Sequence, residues 1–211
     1  MLASLAAIAL GYLSGALPWG LWIGRGFRGL DIREHGSRNL GATNAYRVLG
    51  PGLGMLTLVL DILKGAVPVA WIPPSPAMTG FPGGPEWCAV TVGLAAVAGH
   101  VWTCFARFQG GKGVATMAGV LLALSPPAFG VFVTVFVATV AITRYVSLGS
   151  ILGSIALVIA LAAWEADGVR SPVFLLGALL AALVVARHRE NLRRLARGEE
   201  RKFSFSGGRR S

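Results

Sequence analysis

The sequence predicts an all-α membrane protein, a polytopic bundle of seven transmembrane helices with its N-terminus outside and its C-terminus in the cytoplasm. Three observations predict it. The 211 residues are 55% hydrophobic and only 13% charged, with a mean hydropathy of +0.67; a soluble domain of this size leaves too much surface exposed to hide so much apolar side chain. The apolar residues come in long runs joined by short polar connections. When those connections are placed alternately outside and inside, every Lys and Arg except Arg170 and Lys64 falls inside, the asymmetry that orients membrane proteins.

The first run, about 2–24, has the length of a signal peptide. No basic segment precedes it, and Arg25, Arg28 and Arg33 follow it, so it reads as a retained span with the N-terminus outside. The second and third runs cover 49–72 and 86–106. Cys88 and Cys104 both lie in the third; on a continuous helix they stand roughly 24 Å apart, beyond disulfide reach. The stretch from 113 to 143 is too long for one span and is interrupted by Pro126-Pro127. Proline removes a backbone donor and restricts the residue before it, so the prediction is a short fourth helix (113–125), a tight outside turn at the prolines and a fifth helix (127–143). One kinked helix in their place would put the basic C-terminal segment on the wrong side. The sixth and seventh runs are 146–164 and 172–187. Segments 25–48, 107–112, 144–146 and 188–211 are then inside, and 73–85, rich in Pro and Gly, is an outside connector. No internal repeat is visible. A single membrane domain over 1–203 is expected, with 204–211 a disordered basic tail.

A net charge of +10 in a soluble protein would suggest nucleic acid. Here the basic loops set topology and meet anionic lipid headgroups, and with no recognisable nucleic-acid module in the chain, no nucleic-acid partner is expected.

Three inside segments are dense in groups that suit an anionic, hydroxylated ligand. The first runs from Gly36-Ser37 through Asn39, Thr43 and Asn44 to Arg47. Hydroxyl and amide side chains and glycine N–H groups bind such ligands, and the planar guanidinium matches a phosphate. The same composition also describes an ordinary polar loop with caps and turns. The second, Gly110-Gly111-Lys112-Gly113-Val114-Ala115-Thr116, opens an apolar helix. Backbone donors at the positive helix end plus a lysine make a phosphate seat. The alternative is a flexible loop with a topological lysine. It is not an ATP-binding loop of the Walker type, since Gly113 stands where Ser or Thr is required. The third starts at His188 and Asn191, three apart and so on one face of a helix, and continues through a charge run to Glu200 and Lys202. Such a run also describes a solvated helix lying along the lipid surface.

Asp61 and Lys64 fall inside the second apolar run. Ionisable groups in a membrane are costly and pair or face a polar cavity, so these two, i and i+3, are expected to form a structural ion pair. His100 is either a structural hydrogen-bonder or a ligand contact. Ser147 and Ser150, after Arg144-Tyr145, line a site or pack helices.

In this order and spacing, across nearly the whole chain, the segments resemble the bacterial acyl-phosphate-dependent glycerol-3-phosphate acyltransferase family of integral membrane enzymes. The residues that carry the resemblance are Gly36-Ser37-x-Asn39-x-Gly41-Ala42-Thr43-Asn44 with Arg47, Asp61-x-x-Lys64-Gly65, His100, Gly110 to Thr116, Arg144-Tyr145-x-Ser147-Leu148, and His188-x-x-Asn191 through Gly198-x-Glu200-x-Lys202. Two positions depart from the commonest first motif: Arg38, where glycine is frequent, and Leu40, where proline is frequent. They bear on loop shape more than on activity.

The resemblance implies a seven-helix bundle in the bacterial inner membrane with its active site open to the cytoplasm. It implies acyl transfer from acyl phosphate to the 1-hydroxyl of glycerol 3-phosphate, giving lysophosphatidic acid and phosphate, the first acylation in phospholipid synthesis. The donor is not acyl-CoA or acyl carrier protein. A soluble enzyme that forms acyl phosphate is implied as a partner, and no metal or other cofactor. Arg47, Lys112 and Ser37, with His188 and Asn191, are then the expected catalytic residues. Gly36, Asn39, Thr43, Asn44, His100, Gly110, Gly111, Gly113, Thr116, Ser147, Ser150 and Glu200 are expected to bind substrate. Acyl phosphate is already activated, so catalysis needs mainly positioning and charge stabilisation. The base is either His188 or the donor's own phosphate, and the second is preferred. A transporter for a phosphorylated solute is the rival from another class. It requires a polar route to the outside face, where the loops are nearly uncharged. A structural scaffold has no use for two phosphate-seat segments.

Overall fold

The computed structural model describes residues 1–204; of the expected disordered tail, 205–211 lie outside the described residues. The described chain is helical and falls into two compact units, Met1–Ala123 and the segment from Leu124 onward.

The first unit holds α1 (Leu2–Ala16), α2 (Trp19–Arg28), α3 (Ala42–Leu49), α4 (Pro51–Trp71), α5 (Gly84–Val101) and nearly all of α6 (Val114–Leu124). The first apolar run is not one unbroken helix ending at residue 24. It breaks at Leu17-Pro18, because Pro18 cannot donate to the helix ladder, and continues to Arg28. The break is stitched from elsewhere: Lys64 Nζ donates to Leu17 O (2.8 Å) and Thr103 Oγ1 donates to Ala16 O (2.5 Å). α1 and α5 pack backbone to backbone. A Cβ on Gly15 would fall on Ala96 O, and one on Gly99 on Tyr12 O, the small-residue contact by which membrane helices approach closely. α3 lies inside the stretch expected to be loop, bounded by Gly41 and Gly50, and a buried cluster of Leu21, Ile23, Ile32, Leu40, Ala45, Leu49 and Ala106 supports it. The third run ends as a helix at Val101, and Cys104 stands in a short turn, Cys104–Ala106. The continuous-helix spacing of the two cysteines therefore does not apply; both are free thiols.

The second unit holds α7 (Pro126–Thr143), α8 (Val146–Trp164), α9 (Pro172–Arg187) and α10 (Arg189–Ala196). Pro126 and Pro127 are not a turn. They form the first turn of α7, where the missing N–H costs nothing, and the helix break is at Ser125. Gly149 and Gly153 of α8 pack against Phe136 and Phe132 of α7. Ser171 caps α9, its Oγ accepting from Val173 N and Phe174 N.

Among the described residues, five helical segments are long and apolar enough to cross a membrane, or six if α9 and α10, bent by 56° at His188, make one broken span. Helix length alone does not reach the expected seven, because α6 has only 11 residues where about 20 span a bilayer unaided.

Candidate functional site

In the first unit the loop before α3 is organised by Asn44. Its Oδ1 accepts from Ser37 N (2.7 Å), and its Nδ2 donates to Ile32 O (2.9 Å), His35 O (3.2 Å) and Asn39 O (2.9 Å). Asn44 is 1% exposed. Every polar atom of its amide is engaged by the protein's own backbone, and through those bonds it holds the loop. Gly36 has φ +62°, and a Cβ there would fall on Asn44 Oδ1; both the backbone and the crowding require glycine. Asn39 Oδ1 accepts from Gly41 N (2.9 Å) and so shapes the entry to α3. Ser37 is exposed, and Thr43 and Arg47 of α3 are half-buried. At the loop's base Asp31 accepts from Arg33 and Arg25 (Arg33 Nη2 2.6 Å, Arg25 Nη2 2.9 Å). Arg33's hydrogen bonds hold the Asp31 carboxyl well below the usual carboxylate range, and Asp31 raises Arg33 in return. Arg38 stands at φ +59°, a left-handed conformation that glycine adopts far more readily than arginine.

Lys112 lies in the turn before α6. Gly110 N donates to Val101 O (3.1 Å) and Gly111 N to His100 O (3.1 Å), folding the turn back on the end of α5. Gly113 has φ +85°. His100 is 6% exposed, with its Nδ1 3.8 Å from Asp61 Oδ1, and Asp61 Oδ1 is 2.7 Å from Lys64 Nζ. The expected Asp61–Lys64 ion pair is therefore formed and buried. Thr116 has no exposed surface, and a Cβ on Gly65 of α4 would fall on its carbonyl, so α6 packs closely on α4 at Thr116, whose buried hydroxyl has no hydrogen-bond partner among the described residues.

In the second unit Glu200 is the organiser. Its Oε1 accepts from Ser147 Oγ (2.8 Å) and Asn191 Nδ2 (2.6 Å), and its Oε2 from Arg194 Nε (2.8 Å). Phe203 N donates to Arg144 O (2.7 Å), and Lys202 Nζ stands 5.9 Å from the Tyr145 ring centroid. Burial pushes the Glu200 carboxyl up, but the hydrogen bonds from Asn191, Arg194 and Ser147 outweigh it and hold the group below its ordinary value. Ser147 and Glu200 thus join α8 to the chain beyond α10. Ser150 Oγ donates to Val146 O (2.9 Å) within its own helix. His188 stands at the α9–α10 bend, 3% exposed, its Nδ1 2.8 Å from Val184 O. A carbonyl only accepts, so Nδ1 carries a proton. Among the described residues, no three His, Cys, Asp or Glu side chains are grouped to hold a metal ion.

Sequence reasoning missed the organising roles of Asn44 and Glu200 and the pinning of the Gly110-Gly111 turn on His100. The one available signal was the pair Gly41 and Gly50 bracketing a helix-length segment.

Apolar helices of bilayer length, close glycine contacts and cationic polar loops define the class: a multi-pass, helical, integral membrane protein. Residues 5–198 match the family model for glycerol-3-phosphate acyltransferase. The glycerol-3-phosphate acyltransferase of Desulforudis audaxviator is 44% identical over 204 residues, covering 97% of this chain and 98% of that one. That of Geobacter sulfurreducens is 45% identical over 204 residues, covering 96% and 99%. Two solved structures of PlsY (YgiH), an integral membrane glycerol 3-phosphate acyltransferase, superpose closely. Its glycerol 3-phosphate form gives a TM-score of 0.85 at 36% identity, covering 95% of this chain and 96% of that one. Its lysophosphatidic acid form gives 0.82 at 35% identity, covering 97% of each. The chain belongs to the glycerol-3-phosphate acyltransferase family of integral membrane proteins.

Proposed function

We propose that this protein transfers a fatty acyl group from acyl phosphate to the 1-hydroxyl of sn-glycerol 3-phosphate, releasing 1-acyl-sn-glycerol 3-phosphate and inorganic phosphate. The hydroxyl oxygen attacks the acyl carbon, the bond from that carbon to the phosphate oxygen breaks, and the hydroxyl proton leaves with the phosphate. The observation that carries the reading is the Lys112 turn: a lysine among glycines at the start of an apolar helix, folded onto α5 by two backbone hydrogen bonds. In a family that acts on a phosphorylated alcohol, such a turn is a seat for a phosphate. Lys112 and Arg47, with Ser37, stabilise the phosphate charge. His188 and Asn191 orient the acceptor. Asn44, Asn39 and Glu200 act by holding the loops that carry them.

The donor's phosphate oxygen takes the proton. His188 with Nδ1 protonated could also offer Nε2 as a base, so His188→Ala separates the two routes. Substrate assistance predicts a raised KM with most turnover kept. A histidine base predicts lost turnover and a pH profile without its histidine limb. The proposed topology has seven spans in one domain, α6 being the short fourth, with the N-terminus outside and the C-terminus and catalytic loops on the cytoplasmic side of the inner membrane. A soluble enzyme that forms acyl phosphate supplies the donor.

The test uses purified protein in lipid, given acyl phosphate and glycerol 3-phosphate. Phosphate release matched mole for mole by lysophosphatidic acid is the expected result. Equal activity with acyl-CoA would overturn the donor assignment, and movement of glycerol 3-phosphate across the vesicle without acylation would overturn the enzyme.

A further inference from the structure

We propose that His100, backed by the Asp61–Lys64 pair, is a positioning residue that sets the Gly110–Gly113 turn and, through it, the ammonium of Lys112. The proposal rests on the acyltransferase reading above and deepens it.

The turn has an unusual approach. After α5 the chain passes through Arg107 (φ +55°) and Phe108 (φ +59°), two consecutive non-glycine residues in the left-handed region that L-residues rarely adopt. That conformation brings Gly110 and Gly111 back onto the carbonyls of Val101 and His100. Sterics then set what lies beneath. A Cβ on Gly111 would overlap His100 Nε2, whereas a Cβ on Gly110 would overlap His100 O. The imidazole is therefore the floor under the residue that precedes Lys112.

The ring itself rests on a charged support. Its Nδ1 faces Asp61 Oδ1 at 3.8 Å, Asp61 is paired with Lys64 at 2.7 Å, and Lys64 reaches the broken first span at Leu17 O. Asp61, Lys64, His100 and Gly111 border one small cavity, with room for about one water molecule. Asp61 Oδ2 has no hydrogen-bond partner among the described residues, so a water there has an acceptor waiting. An apolar plug of the same volume would fill the space more cheaply than a buried ion pair. What the charged support adds is a fixed orientation for the ring, and hence for the turn above it.

Displacing a catalytic cation by about 1 Å costs on the order of 100-fold in rate. Gly111→Ala is accordingly expected to lower kcat/KM by about that factor, and His100→Ala in the same chain to restore part of it by removing the ring the new methyl strikes. Gly110→Ala is expected to be equally damaging and not rescued, because its obstacle is a backbone oxygen. His100→Ala alone is expected to lower kcat/KM, and His100→Ala with Lys112→Ala to be no worse than Lys112→Ala, the signature of two residues acting through one interaction. If the His100 and Lys112 losses multiply, His100 acts on substrate directly and the proposal fails. It fails equally if Gly111→Ala is indifferent to the ring. Where His100→Ala does not fold, His100→Gln serves in the same comparisons, its flexible amide yielding to the Gly111 methyl. A second readout needs no turnover: protection of Lys112 from an amine-selective reagent by inorganic phosphate, expected in the wild type and lost in His100→Ala. Wild-type protein that acylates nothing yet shows His100-dependent protection would sink the acyltransferase reading and keep this one; active protein whose protection ignores His100 would do the reverse.

Discussion

Asn44 and Glu200 each gather a polar loop around one buried side chain, the first with a neutral amide in the N-terminal unit and the second with a carboxylate in the C-terminal unit. Asn44 is 1% exposed and engages four backbone groups. The Glu200 side chain is 7% exposed and engages three side chains, one of them Arg194, itself 40% exposed. An amide that satisfies backbone fixes the path of the chain and does not titrate. A carboxylate that satisfies side chains fixes how segments dock, and its hold depends on remaining charged. The loop that leads into α3, the helix of Arg47, is thus held by a contact that does not titrate, while the segment after α10 is held by a contact that acid can release.

Asn44→Ala breaks that comparison where it is strongest. It leaves Ser37 N without its acceptor and the carbonyls of Ile32, His35 and Asn39 without their donor, the first of them fully buried and the others partly so, a loss of about 3 kcal/mol. A marked fall in melting temperature is expected, unchanged between pH 5 and 8. Asn44→Asp should rescue nothing, because a carboxylate still accepts from Ser37 but faces three carbonyls with no hydrogen to offer. A melting temperature that survives either change would show that the loop is held by something other than this amide.

Glu200→Gln is the smaller perturbation. Gln keeps one acceptor oxygen for Ser147 and Asn191 but turns an NH2 toward Arg194, so two charge-assisted bonds become neutral and the third is lost; the Arg194 contact is partly screened by water, so about 1 kcal/mol is expected at pH 7. The pH dependence carries the sharper test. Glu200 sits below its ordinary value of 4.5 in the folded protein. A group depressed on folding contributes stability that is fully present above its unfolded value and lost as pH falls through its folded value. Wild type and Glu200→Gln should therefore differ by a constant amount at neutral pH and converge below 4.5. A difference that persists unchanged in acid would mean that shape, not charge, holds the segment.

Much of this architecture is legible in residue order, and the failures have physical causes. α8 and α9 coincide with their predicted runs, 146–164 and 172–187, because in lipid the length of an apolar run is the length of the helix. Pro18 was a visible break signal, but the apolar Trp19-Gly20-Leu21-Trp22-Ile23 that follows masks it in hydropathy. α3 was hidden because its eight residues are half polar and too short to show an apolar stripe. Residue types marked where chemistry could occur, and the Asp61–Lys64 pair followed from the cost of burying charge in a span. Whether an amide or carboxylate faces a ligand or the protein's own groups is different: it depends on which atoms lie within about 3 Å, and no spacing rule encodes that for Asn44 or Glu200.

Arg38→Gly tests the same loop with the smallest expected effect and the most specific meaning. Arg38 is exposed and held at φ +59°, a conformation that costs an L-residue roughly 1–2 kcal/mol. Glycine removes that strain but gives up about 0.5–1 kcal/mol through the entropy of the unfolded chain, so a net gain of about 0.5 kcal/mol is expected as a small rise in melting temperature. The argument turns on coupling. If Asn44 is what holds the loop against the strain at Arg38, the glycine should help more when the amide is gone. Arg38→Gly in an Asn44→Ala background should then recover more stability than it adds to the wild type. Simple additivity in that double-mutant cycle would mean that the strain at Arg38 is borne by its neighbours, and that Asn44 positions the loop without having to force it.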